Sequence, residues 1–292
     1  MTQLAARTGQ VDPNQSSFGI VADLVADGGV VVLSGAGLST ESGIPDYRGP
    51  SGLARRAEPM TYQTFVRGAP ARQRYWARSH LGWRFVGQAE PNAGHRAVAE
   101  LERRGLVSGI ITQNVDGLHQ AGGARGVIDL HGRLDRVVCL DCGQRTGRDE
   151  LDERLRAANP GWAAEVTAIN PDGDAVLGDA AAEDFRVVDC RACAGLLKPD
   201  VVFFGENVPR ARVDDSFALV EPAGALLVLG SSLTVMSGYR FVRHAARLGI
   251  PVVIVNQGAT RGDPHAIARL DAPLGRTLTA LLGRLDAEGA HT

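Results

Sequence analysis

The sequence predicts an α/β fold, in which a doubly wound, mainly parallel, Rossmann-like sheet carries an inserted small zinc-binding module. Three observations support this prediction. Short continuous apolar runs recur along the chain, as in strands that are buried on both faces of a parallel sheet. Stretches typical of helices separate these runs, as in a sheet covered on both faces. Two Cys-x-x-Cys pairs lie between the second and third runs, where the alternation stops.

The composition and charge of the chain exclude several classes of protein. The 292 residues are 44% hydrophobic and 22% charged, which is enough for a large core plus a smaller module and excludes a mainly disordered chain. A net charge of -2 gives no overall positive field that would attract nucleic acid or an anionic membrane surface. No apolar run reaches the roughly 18 residues that a membrane span needs, and residues 1–15 lack an export-signal pattern. We therefore expect a cytoplasmic protein with no nucleic-acid partner and no membrane partner.

The predicted elements follow one another in a regular order. The apolar runs at 30–33, 109–112, 226–229 and 252–255 are predicted strands, and residues 94–104 and 239–248 are predicted helices. From these elements we expect a flexible N-terminal tail over 1–17 and a discontinuous Rossmann-like domain over 18–132 and 198–285. We also expect a helical insertion over about 49–90, the zinc-binding module over 133–197 and a C-terminal tail over 286–292.

Polar residues follow each predicted strand at once, at 34–37, 113–116, 230–232 and 256–258. Ligands of doubly wound sheets bind beyond the carboxyl ends of the strands, so these clusters predict one site. Gly35 and Gly37 form a partial dinucleotide fingerprint that lets the backbone approach a pyrophosphate. Thr40 replaces the third glycine, and no acid lies about 20 residues on. A plain glycine turn is the alternative, and a hydride-transferring dehydrogenase is disfavoured.

The four cysteines form two pairs, Cys139 with Cys142 and Cys190 with Cys193. In a chain without an export signal, this pattern favours one tetrahedral, structural zinc over disulfides. The pairs are further apart than the usual roughly 15 to 20 residues, so an insertion lies between them. A redox pair or an accidental pairing is the alternative.

Several further segments carry a resemblance to a known family: residues 41–49, 112–119, 130–132, 198–206 and 230–233. In order, over about 20–285 and with both cysteine pairs, the chain resembles the sirtuins, the NAD-dependent protein-lysine deacylases. The insertion with residues 159–162 and 171–174, together with segments 72–78 and 237–241, is similar to class II sirtuins.

The resemblance implies a reaction and three catalytic residues. An acyl-lysine and NAD yield nicotinamide, O-acyl-ADP-ribose and free lysine. His131 is implied as the base that deprotonates a ribose hydroxyl, a task that suits an imidazole near neutral pH. Asn114 orients ribose and water, and Asp116 holds nicotinamide. A histidine that caps a loop and an Asx turn that closes a strand are the alternatives.

The resemblance also implies contacts to NAD and to the substrate. The NAD contacts are Gly35, Ala36, Gly37, Thr40, Asp46, Tyr47, Arg48, Gln113, Asn114, Asp116, Gly230, Ser231, Ser232, Asn256 and Gln257. For Arg48, a surface ion pair is the alternative. Val202, Phe203, Gly205 and Glu206 resemble an edge segment that pairs with an extended substrate peptide.

Tyr75 and Arg78 lie three residues apart, hence on one helical face. They resemble the Tyr-x-x-Arg pair with which class III sirtuins bind acidic acyl groups, and arginine is the natural partner of a carboxylate. The spacing to residues 91–95 differs from the class III pattern, and a solvated arginine face is the alternative.

The leading hypothesis is therefore an NAD-dependent protein-lysine deacylase of the deacetylase or desuccinylase type, with a preference for acidic acyl groups. Its substrates are acyl-lysine proteins, among them acyl-CoA synthetases and other metabolic enzymes by family analogy. The alternatives are an NAD-dependent mono-ADP-ribosyltransferase and, from another class, a non-catalytic zinc-ribbon or NAD-binding module.

Overall fold

The structure is a computed structural model that describes residues 13–47 and 59–289. Its strands are β1 (Val30–Ser34), β2 (Val107–Thr112), β3 (Val127–Asp129), β4 (Gly132–Cys139), β5 (Arg145–Gly147), β6 (Ala168–Ile169), β7 (Ala175–Val176), β8 (Leu197–Val201), β9 (Ala225–Leu229), β10 (Val252–Val255) and β11 (Ala268–Leu270). Its α-helices are α1 (Pro13–Ala26), α2 (Tyr62–Arg67), α3 (Ala69–Val86), α4 (Ala93–Arg103), α5 (Leu118–Ala121), α6 (Arg148–Ala158), α7 (Arg210–Val220), α8 (Met236–Arg247) and α9 (Leu274–Gly289). Short 3-10 helices span Ala36–Ser42, Asp179–Ala182 and Asp263–His265.

The main sheet is parallel, in the order β11-β10-β9-β1-β2-β3. Its two faces bury alternate residues of β1: Val30 and Val32 pack into one core, Val31 and Leu33 into the other. Burial on both faces explains why each strand is a continuous apolar run. The predicted fold class is confirmed, and the strands of this sheet that were not predicted are the three-residue edge strands β3 and β11.

The small module contains an antiparallel sheet in the order β5-β4-β8. Helices α2 and α3 pack against this sheet, because Phe65 and Trp76 share a buried core with Leu155, Phe185 and Leu197. Residues 59–90 of the expected helical insertion and the cysteine-bearing segment therefore form one compact unit beside the main sheet, and residues 49–58 of that insertion lie outside the described residues.

Both chain ends are helical over part of the expected tails. Helix α1 begins at Pro13, inside the expected tail 1–17, and proline is well suited to a first helical turn. Its Val21 and Val25 are buried against the sheet, which stabilises the helix. Helix α9 continues to Gly289, inside the expected tail 286–292, and Arg284 pairs there with Asp23. Amphipathic packing against the core explains both extensions.

Within residues 13–47 and 59–289, we find no helix with the length and apolar character required to cross a bilayer.

Candidate active site

A cavity of about 590 Å³ lies between the carboxyl ends of β1, β2, β9 and β10 and the small module. Most of the residues predicted to contact NAD line it: Gly35, Ala36, Gly37, Asp46, Tyr47, Gln113, Asn114, Asp116, Gly230, Ser231, Ser232, Asn256 and Gln257. His131 and the predicted substrate residues Tyr75, Val202, Phe203, Gly205 and Glu206 line it as well. Arg48 lies outside the described residues. The structure thus brings the predicted residues together, and their binding roles stay predictions.

The turn after β1 is shaped by close backbone packing. A Cβ atom on Gly35 would lie 2.8 Å from the Ser231 Cβ, and one on Gly37 would lie 2.9 Å from the Gly230 Cα. The Gly37 amide donates to the Gly230 carbonyl at 2.8 Å. Thr40 does not line the cavity, because its hydroxyl donates to the Gly37 carbonyl at 2.9 Å within the 3-10 helix. The two glycines therefore let the turn after β1 pack directly against the turn after β9.

A hydrogen-bonded polar cluster forms the floor of the cavity. Asn114 donates through Nδ2 to the Gly35 carbonyl at 3.1 Å and to the Ser39 hydroxyl at 3.0 Å. The Ser39 hydroxyl donates to Asp116 Oδ2 at 2.7 Å, and the Leu118 amide donates to Oδ1 at 2.9 Å. Burial raises the pKa of the Asp116 carboxyl, and these hydrogen bonds oppose the rise. Ser39 was not assigned a role from sequence, although it lies between two predicted contacts.

Two buried histidines support that floor from below. His119 Nε2 lies 2.8 Å from the Ser34 hydroxyl, which itself donates to Thr112, so Nε2 carries the hydrogen. The His95 ring packs edge-on against His119, with centroids 5.2 Å apart. Burial lowers the pKa of His95 to about 3 and that of His119 to about 4. Both rings are therefore neutral at physiological pH and support the cluster without adding charge.

His131 occupies the junction between the main sheet and the small module. Its carbonyl accepts from the Val202 amide at 2.8 Å, which links it to the predicted substrate segment. Nδ1 lies 2.9 Å from the Gln113 carbonyl, which has no hydrogen, so Nδ1 must donate. Nε2 is then the acceptor for the Ser237 hydroxyl at 2.8 Å.

The charge state of His131 follows from its surroundings. Burial lowers its pKa, the hydrogen bond to Gln113 opposes that shift, and the positive charges of Arg212 and Arg240 add to it. The imidazole is therefore neutral near pH 7, with a basic nitrogen at the cavity. This state is the one required of a general base. Ser237 and Arg240 both line the cavity, and sequence analysis gave neither a role.

The predicted substrate segment is fixed by the only lysine of the chain. Lys198 is buried, and its Nζ lies 3.1 Å from Glu206 Oε2 and 4.7 Å from the centre of the Phe203 ring. Glu206 Oε2 also accepts from the Phe203 amide at 2.9 Å. On the other side, the Phe204 carbonyl accepts from the Tyr62 amide at 2.9 Å. These contacts hold the segment along the cavity, and the Glu206 amide donates to the Phe203 carbonyl at 3.0 Å across a turn in which Gly205 has a φ of 76°.

Tyr75 and Arg78 take different positions despite their shared helical face. The Tyr75 ring lines the cavity and packs against the Phe203 ring, with the ring centres 5.2 Å apart. Arg78 does not line the cavity, since its Nε donates to the Ala175 carbonyl at 3.0 Å. Pro171 and Asp172, which were not assigned from sequence, line it instead.

The four cysteine sulfurs lie within 4.8 Å of one another. The Sγ atoms of Cys139 and Cys193 are 3.5 Å apart, and those of Cys142 and Cys190 are 3.8 Å apart. Zinc with bonds of about 2.3 Å in a tetrahedron separates its sulfurs by roughly 3.8 Å, so the arrangement fits a zinc ion. The distances are far longer than a disulfide bond of about 2.05 Å.

Known proteins are similar to this chain in sequence and in structure over most of its length. A family model described as "Sir2 family" matches residues 35–237. A Streptomyces coelicolor protein named NAD-dependent protein deacetylase 1 is 61% identical over 94% of this chain and 91% of its own. A Mycobacterium avium protein of the same name is 52% identical over 90% of this chain and 93% of its own. A solved structure described as "Sir2-p53 peptide-NAD+" superposes with a TM-score of 0.73 at 30% identity, over 94% of this chain and 98% of that one.

Proposed function

The chain belongs to the Sir2 family, and from that premise we propose that it is an NAD-dependent protein-lysine deacylase that removes acetyl groups. The observation that carries the proposal is the state of His131, a neutral imidazole whose Nε2 is the unprotonated nitrogen, hydrogen-bonded to the Ser237 hydroxyl, beside the segment after β8. The relatives named as NAD-dependent protein deacetylases support this assignment.

The residues present fit NAD. Gly35, Gly37 and Gly230 line the cavity without side chains, and their close packing against one another places bare backbone at the ends of β1 and β9, where a pyrophosphate can approach it. The Ser231 and Ser232 hydroxyls and the Asn256 and Gln257 side chains lie at the ends of β9 and β10, where they are suited to the phosphates and the adenosine ribose. When bound, NAD supplies the electrophilic ribose carbon that receives the acyl oxygen as nicotinamide leaves.

The protein residues have three further roles in the proposed reaction: they position nicotinamide and its ribose, accept a proton and bind the substrate backbone. Asn114 and Asp116, held by Ser39, present fixed polar groups to nicotinamide and its ribose. His131 takes a proton from a ribose hydroxyl at Nε2, and its Nδ1–H stays on the Gln113 carbonyl and keeps the ring in place. The segment Val202 to Glu206 binds the substrate backbone in an extended form, which reads sequence weakly and admits lysines from different proteins.

We also propose that the four thiolates hold one structural zinc. The ion has four protein ligands and no open position, so it takes no part in the chemistry. Its role is to join the β4 and β8 ends of the module, whose other ends carry His131 and Val202.

The test is mass spectrometry of purified protein with NAD and an acetyl-lysine peptide. We expect free lysine peptide, nicotinamide and O-acetyl-ADP-ribose in equal amounts, and no products with His131→Ala. Nicotinamide release with ADP-ribose added to protein, and no deacetylated peptide, would contradict the proposal and identify a mono-ADP-ribosyltransferase. NAD binding without any turnover would identify a binding module.

A further inference from the structure

We propose that Ser237 is a positioning residue of the active site, whose hydroxyl group holds the basic nitrogen of His131 and accepts the hydrogen that this nitrogen gains. The inference rests on the proposed deacylase function, in which His131 takes a proton from a ribose hydroxyl. Ser237 was given no role from sequence, and it adds a second group to the proton-accepting part of the site.

The two nitrogens of the His131 ring have different partners, and both partners are uncharged. Nδ1 donates to the Gln113 carbonyl at 2.9 Å, and Nε2 accepts from the Ser237 hydroxyl at 2.8 Å. The carbonyl oxygen can only accept, so Nδ1 keeps its hydrogen in both charge states of the ring. Any further proton must therefore enter at Nε2, the nitrogen that Ser237 contacts.

A hydroxyl group suits both charge states of that nitrogen. It has one hydrogen to donate and two lone pairs with which to accept. When Nε2 of His131 gains a proton, rotation about the Cβ–Oγ bond of Ser237 turns the hydroxyl from donor to acceptor, and no heavy atom has to move. Because hydrogen bonds to charged groups are stronger than those between neutral groups, Ser237 stabilises the imidazolium more than the neutral ring.

The position of Ser237 is fixed by the docking of helix α8. A Cβ atom on Gly238, the next residue, would lie 2.4 Å from Gln113 Oε1, so the first turn of the helix packs directly on the Gln113 side chain. Phe241, one turn further along, is fully buried in the core on one face of the main sheet. The His131 ring is therefore held between two groups, the Gln113 carbonyl and the Ser237 hydroxyl, that lie on segments in direct contact.

The charges around the ring make this acceptor important. Burial lowers the pKa of His131, and the positive charges of Arg212 on α7 and Arg240 on α8 lower it further. Arg212 lies 3.7 Å from Asp200, whereas Arg240 lines the cavity. Among the residues that the structure describes, the Ser237 hydroxyl is the group within hydrogen-bond distance of Nε2. Without it, the buried imidazolium would have no acceptor for its new hydrogen, which is strongly unfavourable.

The experiment compares Ser237→Thr with Ser237→Val, two variants of nearly the same shape, of which only the first keeps a hydroxyl group. Valine also fills the space in which water could replace that group. We expect Ser237→Thr to retain kcat for an acetyl-lysine peptide within about threefold of the wild type, and Ser237→Val to lower kcat about tenfold or more below it. The KM values for NAD and peptide should agree within about twofold between the two variants, since both place the same volume beside the cavity.

Ser16, an exposed serine near the start of α1, provides the matched control. Ser16→Thr and Ser16→Val make the same pair of changes far from the cavity and should have equal kcat. A thermal melt of each variant shows that the fold persists.

A second measurement needs neither NAD nor peptide. It is an NMR titration of the His131 imidazole in the free protein, whose signal is identified by its loss in His131→Ala. The pKa of His131 should be lower in Ser237→Val than in Ser237→Thr, because valine removes the acceptor of the charged form. The acidic limb of the kcat/KM profile should move to lower pH in the same comparison.

Two results would overturn the inference: equal kcat in Ser237→Thr and Ser237→Val, or a pKa of His131 in Ser237→Val that equals or exceeds that in Ser237→Thr. A wild type that turns over no acetyl peptide would refute the proposed function instead. The titration then decides this inference alone, and a lower pKa in Ser237→Val would support it.

Discussion

The two walls of the cavity are built by different means. The wall at the main sheet consists of short turns that directly follow buried parallel strands, and its backbone is fixed by the strands themselves. The facing wall is assembled from α3, β4, the β6–β7 hairpin and the segment after β8, and it is held by aromatic rings, buried charges and the cysteine cluster. The comparison teaches that the two walls rest on separate supports, so their proposed cofactor and substrate roles can be tested separately.

The largest effect should come from His131, which lies where the two walls meet. His131→Ala should lower kcat/KM for deacetylation by about 10³-fold, because it removes the general base. The measurement is the rate of free lysine peptide formation, with a thermal melt to show that the fold persists. A loss below tenfold would place the base elsewhere.

The next effect concerns the cysteine cluster, which supports only the facing wall. Metal removal or Cys139→Ser should lower activity by about 10²-fold, because it releases the β4 and β8 ends and misplaces the groups at their far ends. Elemental analysis should find one zinc per chain in the wild type.

Circular dichroism of the metal-free protein should retain most of the signal of the main sheet and its helices. Full activity without metal would show that the facing wall does not depend on the cluster.

A substitution at Gly82 should disturb the facing wall and leave the wall at the main sheet unchanged. Gly82→Ala forces the hairpin away from α3, at a cost of about 1–3 kcal/mol. The KM for acyl peptide should rise about tenfold while the KM for NAD stays within twofold, as steady-state kinetics with each substrate varied would show. Gly283→Ala in α9, where a Cβ meets nothing within 4 Å, is the control and should change neither value. Equal changes in both KM values would mean that the walls are coupled.

The dependence of kcat/KM on pH tests the role of His131, which lies at the junction of the two walls. In the proposed reaction the neutral form of His131 is the active one, and the pKa of His131 is lowered, so kcat/KM should fall only below the ordinary histidine value of about 6.5. Arg212→Gln removes a positive charge that depresses this pKa, so the acidic limb should move to higher pH. Arg243→Gln, on the exposed side of α8, should leave the profile in place. A profile unmoved by Arg212→Gln would rule out this electrostatic effect.

The smallest effect lies within the cysteine turns. Gly143 and Ala194 each follow the second cysteine of a pair, and their φ angles are 74° and 58°. Since left-handed backbone disfavours a side chain, Ala194→Gly should stabilise the zinc-loaded protein by up to about 1 kcal/mol, and Gly143→Ala should destabilise it by a similar amount. Denaturant melts measure both, and a common sign would contradict this account.

The wall at the main sheet was predictable from sequence because its site residues are adjacent in the chain to the strands that position them. Gly35, Gln113 and Gly230 immediately follow apolar runs, so strand and site are read from the same short segment. The clustering of the four cysteines was equally predictable, since the spacing of two Cys-x-x-Cys pairs indicates a shared metal. The fold class followed from the same runs.

The facing wall was much less predictable because its contacts are between segments far apart in the chain. Tyr75 and Arg78 share a helical face, yet only packing against the hairpin determines that one lines the cavity and the other does not. Asp172 belongs to a turn whose position depends on Gly82, which is remote in sequence. Ser237 gives no local signal, because its contact with His131 depends on how α8 docks.

The buried ion pair of Lys198 has a consequence for self-modification. Reactive metabolites such as acyl thioesters acylate exposed amines, and these 292 residues offer no lysine side chain except one enclosed beside Glu206. An enzyme that removes acyl groups from lysines therefore carries no accessible lysine of its own to be acylated. On the proposed deacylase function, the surface of the protein is therefore not a competing substrate.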